Sequence, residues 1–223
     1  YTISTPSGQP PVLAANEMIY VVPDACGCIV CSLHTDHLDL LYWGPNSKAV
    51  ALDNDMERVP LRFFVEFRHC GAFSLFGWPL EELRDCRIRL ENLDPDLAEQ
   101  IRACLERSAF EPGPAAHALN LLFLARLKRE PARLALYLLH QLDLSRGTLS
   151  VKDLALQTGY STRHLNRICS QQLGLNLKLA ARIFRINAVV DHLRRHPGQN
   201  LTEVAHALDY HDQAHFIHDF TDI

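Results

Sequence analysis

One short pattern occurs twice between residues 150 and 220, beginning at Leu154-Ala155 in the first copy and at Val204-Ala205 in the second. In each copy an apolar residue and an alanine precede a tight turn, and further apolar residues follow it. This pattern is typical of a helix-turn-helix, in which the alanine is small where two helices cross. The outer face of the second helix can then enter a major groove of DNA. Two copies predict that one chain reads two neighbouring grooves.

Capping residues predict where the helices of the first copy begin and end. Ser150 and Asp153 have the spacing of a capping box, and Gly159 supplies the turn that follows. Ser161 is the predicted N-cap of the next helix, over residues 162–173. The first copy is therefore predicted to be two short helices with well-defined ends.

A long helix over residues 177–195 is predicted to join the two copies. At about 1.5 Å per residue it spans roughly 28 Å, which suits a strut between two groove-reading units roughly 34 Å apart. Asn200 with Glu203 caps the second unit, and Asp212 caps the last helix. A helix over residues 132–141 precedes the first copy, so the C-terminal region is predicted to be all helical.

Basic residues are distributed unevenly along the chain, which has 223 residues and a formal net charge of −4. Residues 146–223 hold nine lysines and arginines against seven acidic residues, whereas residues 1–145 hold thirteen against nineteen. The excess positive charge therefore lies with the repeated pattern, where contact with DNA phosphates requires it. No apolar run approaches the roughly 20 residues of a membrane helix, and membrane partners are not expected.

Residues 1–128 are predicted to form a separate β-rich domain with a sensory or dimerisation role. Short apolar runs at 18–22, 38–43 and 63–67 are separated by turn residues, which indicates strands up to about residue 90 in a sandwich or a barrel. Arg129-Glu130-Pro131 marks the boundary before the all-helical domain. The predicted fold class is therefore α+β.

A helical layer is predicted over residues 95–128 of this first domain. Asp94 and Pro95 supply an N-cap and a first-turn proline for one helix. The next helix, over residues 115–128, is apolar around most of its circumference. It is therefore either buried on several sides within the domain or packed against another subunit, and the sequence favours neither interpretation.

The two copies share further residues with a known family. The first contains Gly159-Tyr160-Ser161 and His164-Leu165-Asn166-Arg167, and the second contains Tyr210 and the run from Asp212 to Phe216. With the joining helix between them, residues 130–223 resemble the DNA-binding domain of the AraC/XylS family of bacterial transcriptional regulators. Residues 1–128 are similar, more loosely, to a sensory domain that often precedes it.

This resemblance implies a transcription factor, an activator or a repressor, and not an enzyme. It implies double-stranded promoter DNA and RNA polymerase as partners, a small-molecule effector or homodimerisation for the N-terminal domain, and a cytoplasmic location; no cofactor is expected. Because the family's domain usually continues with another short helix, and because Tyr1 is not a start residue, we expect the chain to extend beyond both ends.

The resemblance assigns the base contacts of the first unit to three polar residues, and helical spacing agrees with it. Leu165 and Ile168 are predicted to face the domain interior, so the three residues lie on the opposite face. Arginine can bond guanine O6 and N7 together, and asparagine can bond adenine N6 and N7. Ser161 and Thr162, at the helix N-terminus, are predicted to contact a phosphate. The three residues are Arg163, Asn166 and Arg167.

The second unit differs from the first in its charge. Residues 201–223 contain no lysine or arginine but five acidic residues. Because phosphate attraction supplies much of DNA affinity, this unit is predicted to bind weakly, with base contacts through Gln213 and His218. A basic tail after residue 223 is the alternative source of charge. Otherwise the first unit supplies the electrostatic binding together with three residues of the joining helix: Lys178, Arg182 and Arg185.

Seven cysteines leave other classes of function open. Cys26, Cys28 and Cys31 have the spacing of soft-metal ligands, with His34 and His37 nearby, so a metal- or thiol-responsive regulator is the alternative. In a regular strand, however, Cys31 faces away from the other two, which favours ordinary buried cysteines. An alkyl-accepting DNA-repair methyltransferase is a more remote alternative, because the paired-cysteine spacing that it needs is missing.

Overall fold

The computed structural model of the protein describes residues 19–52, 59, 61–208, 210, 216, 217 and 219. Its architecture is α+β, with an antiparallel sheet and packed helices in the N-terminal part and a helical C-terminal part. Within the described residues, no helix combines the length and the apolar character needed to cross a membrane.

The strands of the N-terminal part form one four-stranded sheet and one two-stranded ribbon. The sheet has the order β5-β2-β3-β6, and the ribbon pairs β1 with β4; all neighbours are antiparallel. Leu38, Leu40 and Tyr42 alternate with partly exposed residues, as in a half-buried strand. These strands do not confirm the predicted sandwich or barrel. Their bounds are β1 Ile19–Val21, β2 Cys28–Leu33, β3 Leu38–Trp43, β4 Val50–Leu52, β5 Leu61–Glu66 and β6 Arg87–Arg89.

Helices cover one side of this sheet and share its core. As predicted, Asp94 caps the helix that starts at Pro95, and its carboxylate accepts a hydrogen bond from the Leu97 N–H at 3.0 Å. Leu97, Ile101 and Leu105 are buried in the core with the sheet residues. The helices are α1 Gly71–Phe76, a 3₁₀ helix Leu80–Leu83, α2 Leu90–Leu93, α3 Pro95–Arg107 and α4 Pro112–Arg126.

Helix α4 differs from its prediction in two ways. It begins at Pro112 and not at residue 115, because proline is well tolerated in the first turn, where its missing N–H costs nothing. Only Ala115 and Leu119 of this helix are buried. Leu121 and Leu124 are more than half exposed, at 55% and 60%. The interpretation that this helix is buried on several sides within its own chain is therefore wrong.

The C-terminal part is a set of helices around a second core. The predicted bounds of α7 and α8 are confirmed, while α5 ends three residues later than predicted because Leu142 is still buried in this core. Leu138, Leu154 and Leu165 are fully buried in the same core. The described helices are α5 Arg133–Leu144, α6 Val151–Thr158, α7 Thr162–Leu173, α8 Leu177–Arg195 and α9 Leu201–Ala207.

The two parts of the chain pack directly against each other. Cys70, at the start of α1, is buried in the core of the C-terminal helices. Asn187 of α8 donates a hydrogen bond from Nδ2 to the carbonyl of Pro23 at 2.8 Å. The ring of His69 stacks on Phe184 with centroids 5.1 Å apart, and burial there lowers the pKa of His69.

The end of α7 makes the closest approach between the two parts. Gly174 ends this helix with φ of 77°, a left-handed conformation that favours glycine. A Cβ at this position would lie 2.8 Å from the carbonyl oxygen of Leu80 and 3.1 Å from Pro45. Any other residue would therefore push the 3₁₀ helix away from α7.

Candidate DNA-binding site

The turn between α6 and α7 is built as the sequence predicts. Ser150 Oγ accepts a hydrogen bond from the Asp153 N–H, and the Asp153 carboxylate accepts one from the Ser150 N–H, which confirms the capping box. Gly159 ends α6 in the left-handed region with φ of 72°. Ser161 then caps α7 by accepting a hydrogen bond from the His164 N–H at 3.2 Å. Both helices of this unit therefore begin and end at fixed residues.

One face of α7 presents two arginines to solvent. Arg163 and Arg167 are exposed, whereas Leu165 and Cys169 on the opposite face are fully buried. Arg167 makes two long hydrogen bonds within its own helix, at 3.3 and 3.4 Å. Bonds of this length to neighbouring exposed side chains are weak, so little energy opposes their replacement by a base edge.

Asn166 occupies a different environment from the two arginines. It is half-buried, and its Oδ1 accepts a hydrogen bond from the Leu177 N–H at 3.0 Å. Its Nδ2 donates to the carbonyl of Thr162 at 2.9 Å. The first N–H groups of a helix lack partners within that helix, so Asn166 satisfies one of them for α8. The amide that was predicted to read adenine is thus engaged in joining α7 to α8.

The N-terminus of α7 is open to solvent, as a phosphate contact requires. Ser161 and Thr162 are both exposed there. Tyr160, which was not among the predicted contact residues, is 49% exposed and stacks on His164 with ring centroids 4.8 Å apart. Its position in the sequence, directly after the turn glycine Gly159 and before the N-cap Ser161, could have indicated a contact residue. An exposed aromatic side chain there contributes little to the core.

Two of the three basic residues predicted on α8 are largely buried. Arg185 contacts the carboxylate of Asp219 at 2.7 Å and donates to the carbonyl of Gly147 at 2.6 Å. Arg182 contacts the same carboxylate at 3.3 Å and donates to the Asp219 carbonyl. The exposed fractions of the three side chains are 20%, 17% and 5%, in the order Arg185, Arg182, Asp219. Lys178 alone of the predicted three is exposed.

This ion-pair cluster lowers the charge that Arg182 and Arg185 can offer to phosphates, and their contact with DNA stays a prediction. The charge count along the sequence treated every basic residue of the joining helix as available to phosphates. The structure instead pairs two of them with Asp219, one of the five acidic residues that follow residue 200. Sequence spacing could not reveal this contact, because Asp219 lies 34 residues after Arg185.

The second unit is described in part. Asn200 and Glu203 cap α9 reciprocally, as predicted, with the Glu203 N–H donating to Asn200 at 2.9 Å. Val204, Tyr210 and Phe216 are buried together with the end of α8 in a third small core. Three predicted residues of this unit lie outside the described residues: Asp212, Gln213 and His218.

The cysteines of the first strands do not form a three-ligand group. Within the described residues, the only set of three or more metal-ligating side chains with their ligand atoms close together is His34, His37 and Asp39. Burial raises the pKa of the Cys26 thiol far above its ordinary value and that of Cys31 to about 12. Cys28 also has a pKa raised to about 12 by burial. Such thiols are protonated near neutral pH and are poor nucleophiles.

A cleft of about 480 Å³ lies between the two parts of the chain. One wall comes from the segment that precedes β2 and from His69, and the other comes from α8 and the loop after α5. Its charged lining residues are of both signs: Asp24, Asp143, Arg146, Asp191 and Arg195, together with the imidazoles of His69 and His192.

Comparison with known proteins gives one finding on family. Residues 154–223 match a family model described as a helix-turn-helix domain, which begins inside α6 and continues through α7, α8 and α9. Searches of curated proteins and of solved structures found no match. This match supports a DNA-binding domain of the helix-turn-helix class, of the AraC type, over residues 154–223. Such a domain supports a DNA-binding transcriptional regulator.

Proposed function

We propose that the protein is a sequence-specific transcriptional regulator that inserts α7 into the major groove of promoter DNA. The observation that carries this proposal is the pair of exposed arginines on one face of α7. Arg163 and Arg167 are four residues apart, so they lie one turn from each other on the same face of the helix. The buried opposite face fixes the direction in which that pair points.

The contacts within the first unit divide into three roles. Arg163 and Arg167 bind base edges, since arginine recognises guanine O6 and N7 through two hydrogen bonds. Ser161 and Thr162 at the helix N-terminus, together with Lys178, contact phosphates. Asn166 positions α7 relative to α8 and does not read a base itself, because both ends of its amide already have partners.

Selection of bound sequences from random duplexes, at a stated salt concentration, tests the main proposal. We expect a short, defined site to emerge, and the double variant Arg163→Ala with Arg167→Ala to lose the preference for it. Arg107→Ala, which removes an exposed arginine from α3, serves as the control for loss of charge. Recovery of the same site with the α7 double variant would contradict the proposal.

The second unit is proposed to bind DNA more weakly than the first. Residues 201–223 contain no lysine or arginine, so contacts through Gln213 and His218 lack the charge that drives phosphate binding. We expect Arg167→Ala to reduce affinity for the selected duplex more than His218→Ala does. If a fluorescence-anisotropy titration shows that both variants lose the same affinity for DNA, the two units do not differ in binding strength.

The N-terminal part is proposed to dimerise through α4. Leu121, Leu124 and Leu127 form an apolar stripe that is more than half exposed, and a monomer rarely leaves such a stripe uncovered. A second copy of the same helix would cover it symmetrically. We expect sedimentation to give a dimer for the full chain and a monomer for Leu124→Glu. A wild-type monomer at high concentration would refute this part of the proposal.

Effector binding is proposed for the cleft between the two parts, because a ligand there touches both α8 and the sheet side. An effector alters DNA binding only if it binds two arrangements of the parts with different affinity. The cleft is lined by charges of both signs, with Arg146 and Arg195 beside Asp24, Asp143 and Asp191, so the effector would be a polar small molecule. RNA polymerase as a partner stays a prediction.

A further inference from the structure

Tyr160 lies between two cap residues, where the chain turns from α6 into α7. Gly159 ends α6 and Ser161 caps α7, so the backbone on both sides of Tyr160 is fixed by hydrogen bonds. The N–H of Tyr160 itself donates to the hydroxyl of Thr158 at 3.4 Å. The side chain is nevertheless 49% exposed and lies outside the core of the C-terminal helices. Its place is therefore set by the turn and not by burial.

One ring contact gives the side chain of Tyr160 a defined direction. It stacks on the imidazole of His164, in the first turn of α7, with an angle of 16° between the two ring planes. Stacking of this kind holds the face of a ring and leaves its edge accessible. Among the described residues, none is hydrogen-bonded to the phenolic hydroxyl of Tyr160. This hydroxyl is therefore available to a partner from outside the chain.

Helical geometry places this ring pair on one flank of α7. Successive residues are about 100° apart around a helix, so His164 and Asn166 lie about 200° apart. Asn166 faces α8, because it accepts a hydrogen bond from the Leu177 N–H at 3.0 Å. Nη2 of Arg167 lies 3.4 Å from Nδ1 of His164, so the ring pair borders the face that carries the arginines. The flank with Tyr160 and His164 therefore faces away from α8.

The flank away from α8 has no cation of its own for a phosphate. A helix that enters the major groove meets one phosphate backbone at each flank. Lys178, at the start of α8, serves the flank next to α8. The lysines and arginines of residues 162–173 are Arg163 and Arg167, and both are proposed to bind base edges. Phosphate oxygens also accept hydrogen bonds from neutral donors, among them the tyrosine hydroxyl.

We propose that the hydroxyl of Tyr160 donates a hydrogen bond to a phosphate of the DNA strand on this flank, and that the ring of His164 positions it. This contact rests on the proposed insertion of α7 into the major groove. A phosphate contact fixes how the protein lies on the duplex but carries no sequence information. Tyr160 therefore contributes affinity and the placing of α7, whereas Arg163 and Arg167 select the bases.

The first test compares Tyr160→Phe with Tyr137→Phe on the duplex that the wild type selects. Tyr137 is a second exposed tyrosine, on α5, so its variant is the matched control for loss of a hydroxyl. Tyr160→Phe keeps the ring that stacks on His164, and we expect its affinity to fall about 3–10-fold on every duplex, as for one lost neutral hydrogen bond. The slope of log affinity against log salt should not change, because a hydroxyl neutralises no phosphate.

Two variants at His164 test its positioning role. His164→Phe keeps an aromatic ring for the stack and should bind DNA as the wild type does. His164→Ala leaves the ring of Tyr160 without support, and we expect a loss of affinity no larger than that of Tyr160→Phe. Adding Tyr160→Phe to His164→Ala should cause little further loss, since both changes act on the same hydrogen bond.

Duplexes in which one phosphate at a time is replaced by an uncharged methylphosphonate locate the contact. At one position the replacement should weaken binding of the wild type more than binding of Tyr160→Phe. The contact is overturned if no such position is found, if Tyr160→Phe binds as tightly as Tyr137→Phe, or if its loss is confined to one base pair. A wild type that selects no site would instead overturn the insertion of α7 itself.

Discussion

Helices α7 and α8 are adjacent and both carry arginines, but the arginines of the two helices have different surroundings. Arg163 and Arg167 are exposed on α7, whereas Arg182 and Arg185 on α8 are four-fifths buried against Asp219. Arginine suits both situations, because its planar guanidinium binds a base edge, a phosphate or a carboxylate with two donors. The net charge counted along a sequence therefore overestimates the positive charge that the folded protein can offer to DNA.

The buried cluster has a structural role that the exposed pair does not. Arg185 contacts Gly147, before the first unit, and Asp219, in the second unit. One side chain therefore joins the loop before the first unit, and the second unit, to the helix between the two units. We propose that this cluster sets the relative orientation of the two units on DNA.

The largest effect is expected from breaking the buried cluster. Asp219→Ala leaves two largely buried guanidiniums without their carboxylate, and loss of one partner of a buried pair costs about 3–5 kcal/mol. We expect the lower end of that range in urea unfolding, because the arginines keep some access to water. Arg163→Met and Arg185→Met are a matched pair on the two helices. Arg163→Met should change the free energy of unfolding by less than about 0.5 kcal/mol. If the two variants lose similar amounts of stability, the buried and the exposed arginines do not differ in structural role.

A smaller loss, in DNA binding only, is expected from Arg167→Ala. Removal of a two-donor contact to guanine costs about 1–3 kcal/mol and relaxes the preference at one base pair. The free energy of unfolding should stay unchanged because Arg167 is exposed. Titration of the selected duplex and of one with that base pair changed measures both parts. An affinity that falls equally on both duplexes would show a phosphate contact instead.

Asn166 separates reading from positioning. Asn166→Ala removes the acceptor for the Leu177 N–H, and we expect a loss of about 1 kcal/mol in unfolding free energy together with weaker binding to every duplex. Asn166→Asp keeps that acceptor and should retain most of the stability. If the alanine variant is as stable as the wild type but loses the preference for one adenine, the original interpretation of Asn166 as a base reader is correct.

The smallest effect is expected at Lys178, the exposed basic residue of the joining helix. Lys178→Ala should lower affinity uniformly across sequences and reduce the slope of log affinity against log salt by about 1, as for one lost phosphate contact. Base preference should not change. If the slope does not change, Lys178 makes no phosphate contact, and the electrostatic binding comes from the first unit alone.

Local rules predicted much of the C-terminal region. The capping box at Ser150, the turn at Gly159 and the bounds of α7 and α8 depend on a few neighbouring residues, so the sequence contains what decides them. The face of α7 that carries Arg163 and Arg167 follows from helical periodicity in the same way.

Features that depend on distant residues were not predictable. The pairing of Arg185 with Asp219 and of Asn166 with Leu177 needs the path of the chain between them. The order of the sheet strands, and the solvent exposure of Leu121 and Leu124 on α4, likewise depend on tertiary packing.

Through Gly174, helix α7 contacts the N-terminal part at the end opposite its arginines. The N-terminal half of α7 carries Arg163 and Arg167, whereas its C-cap Gly174 lies against the carbonyl of Leu80, with no room for a side chain between them. A helix of 12 residues is a stiff rod of roughly 18 Å, so a tilt imposed at one end is delivered at the other. A shift of the 3₁₀ helix would therefore change the angle at which the arginines of α7 meet the groove. The N-terminal part could control DNA binding through this contact.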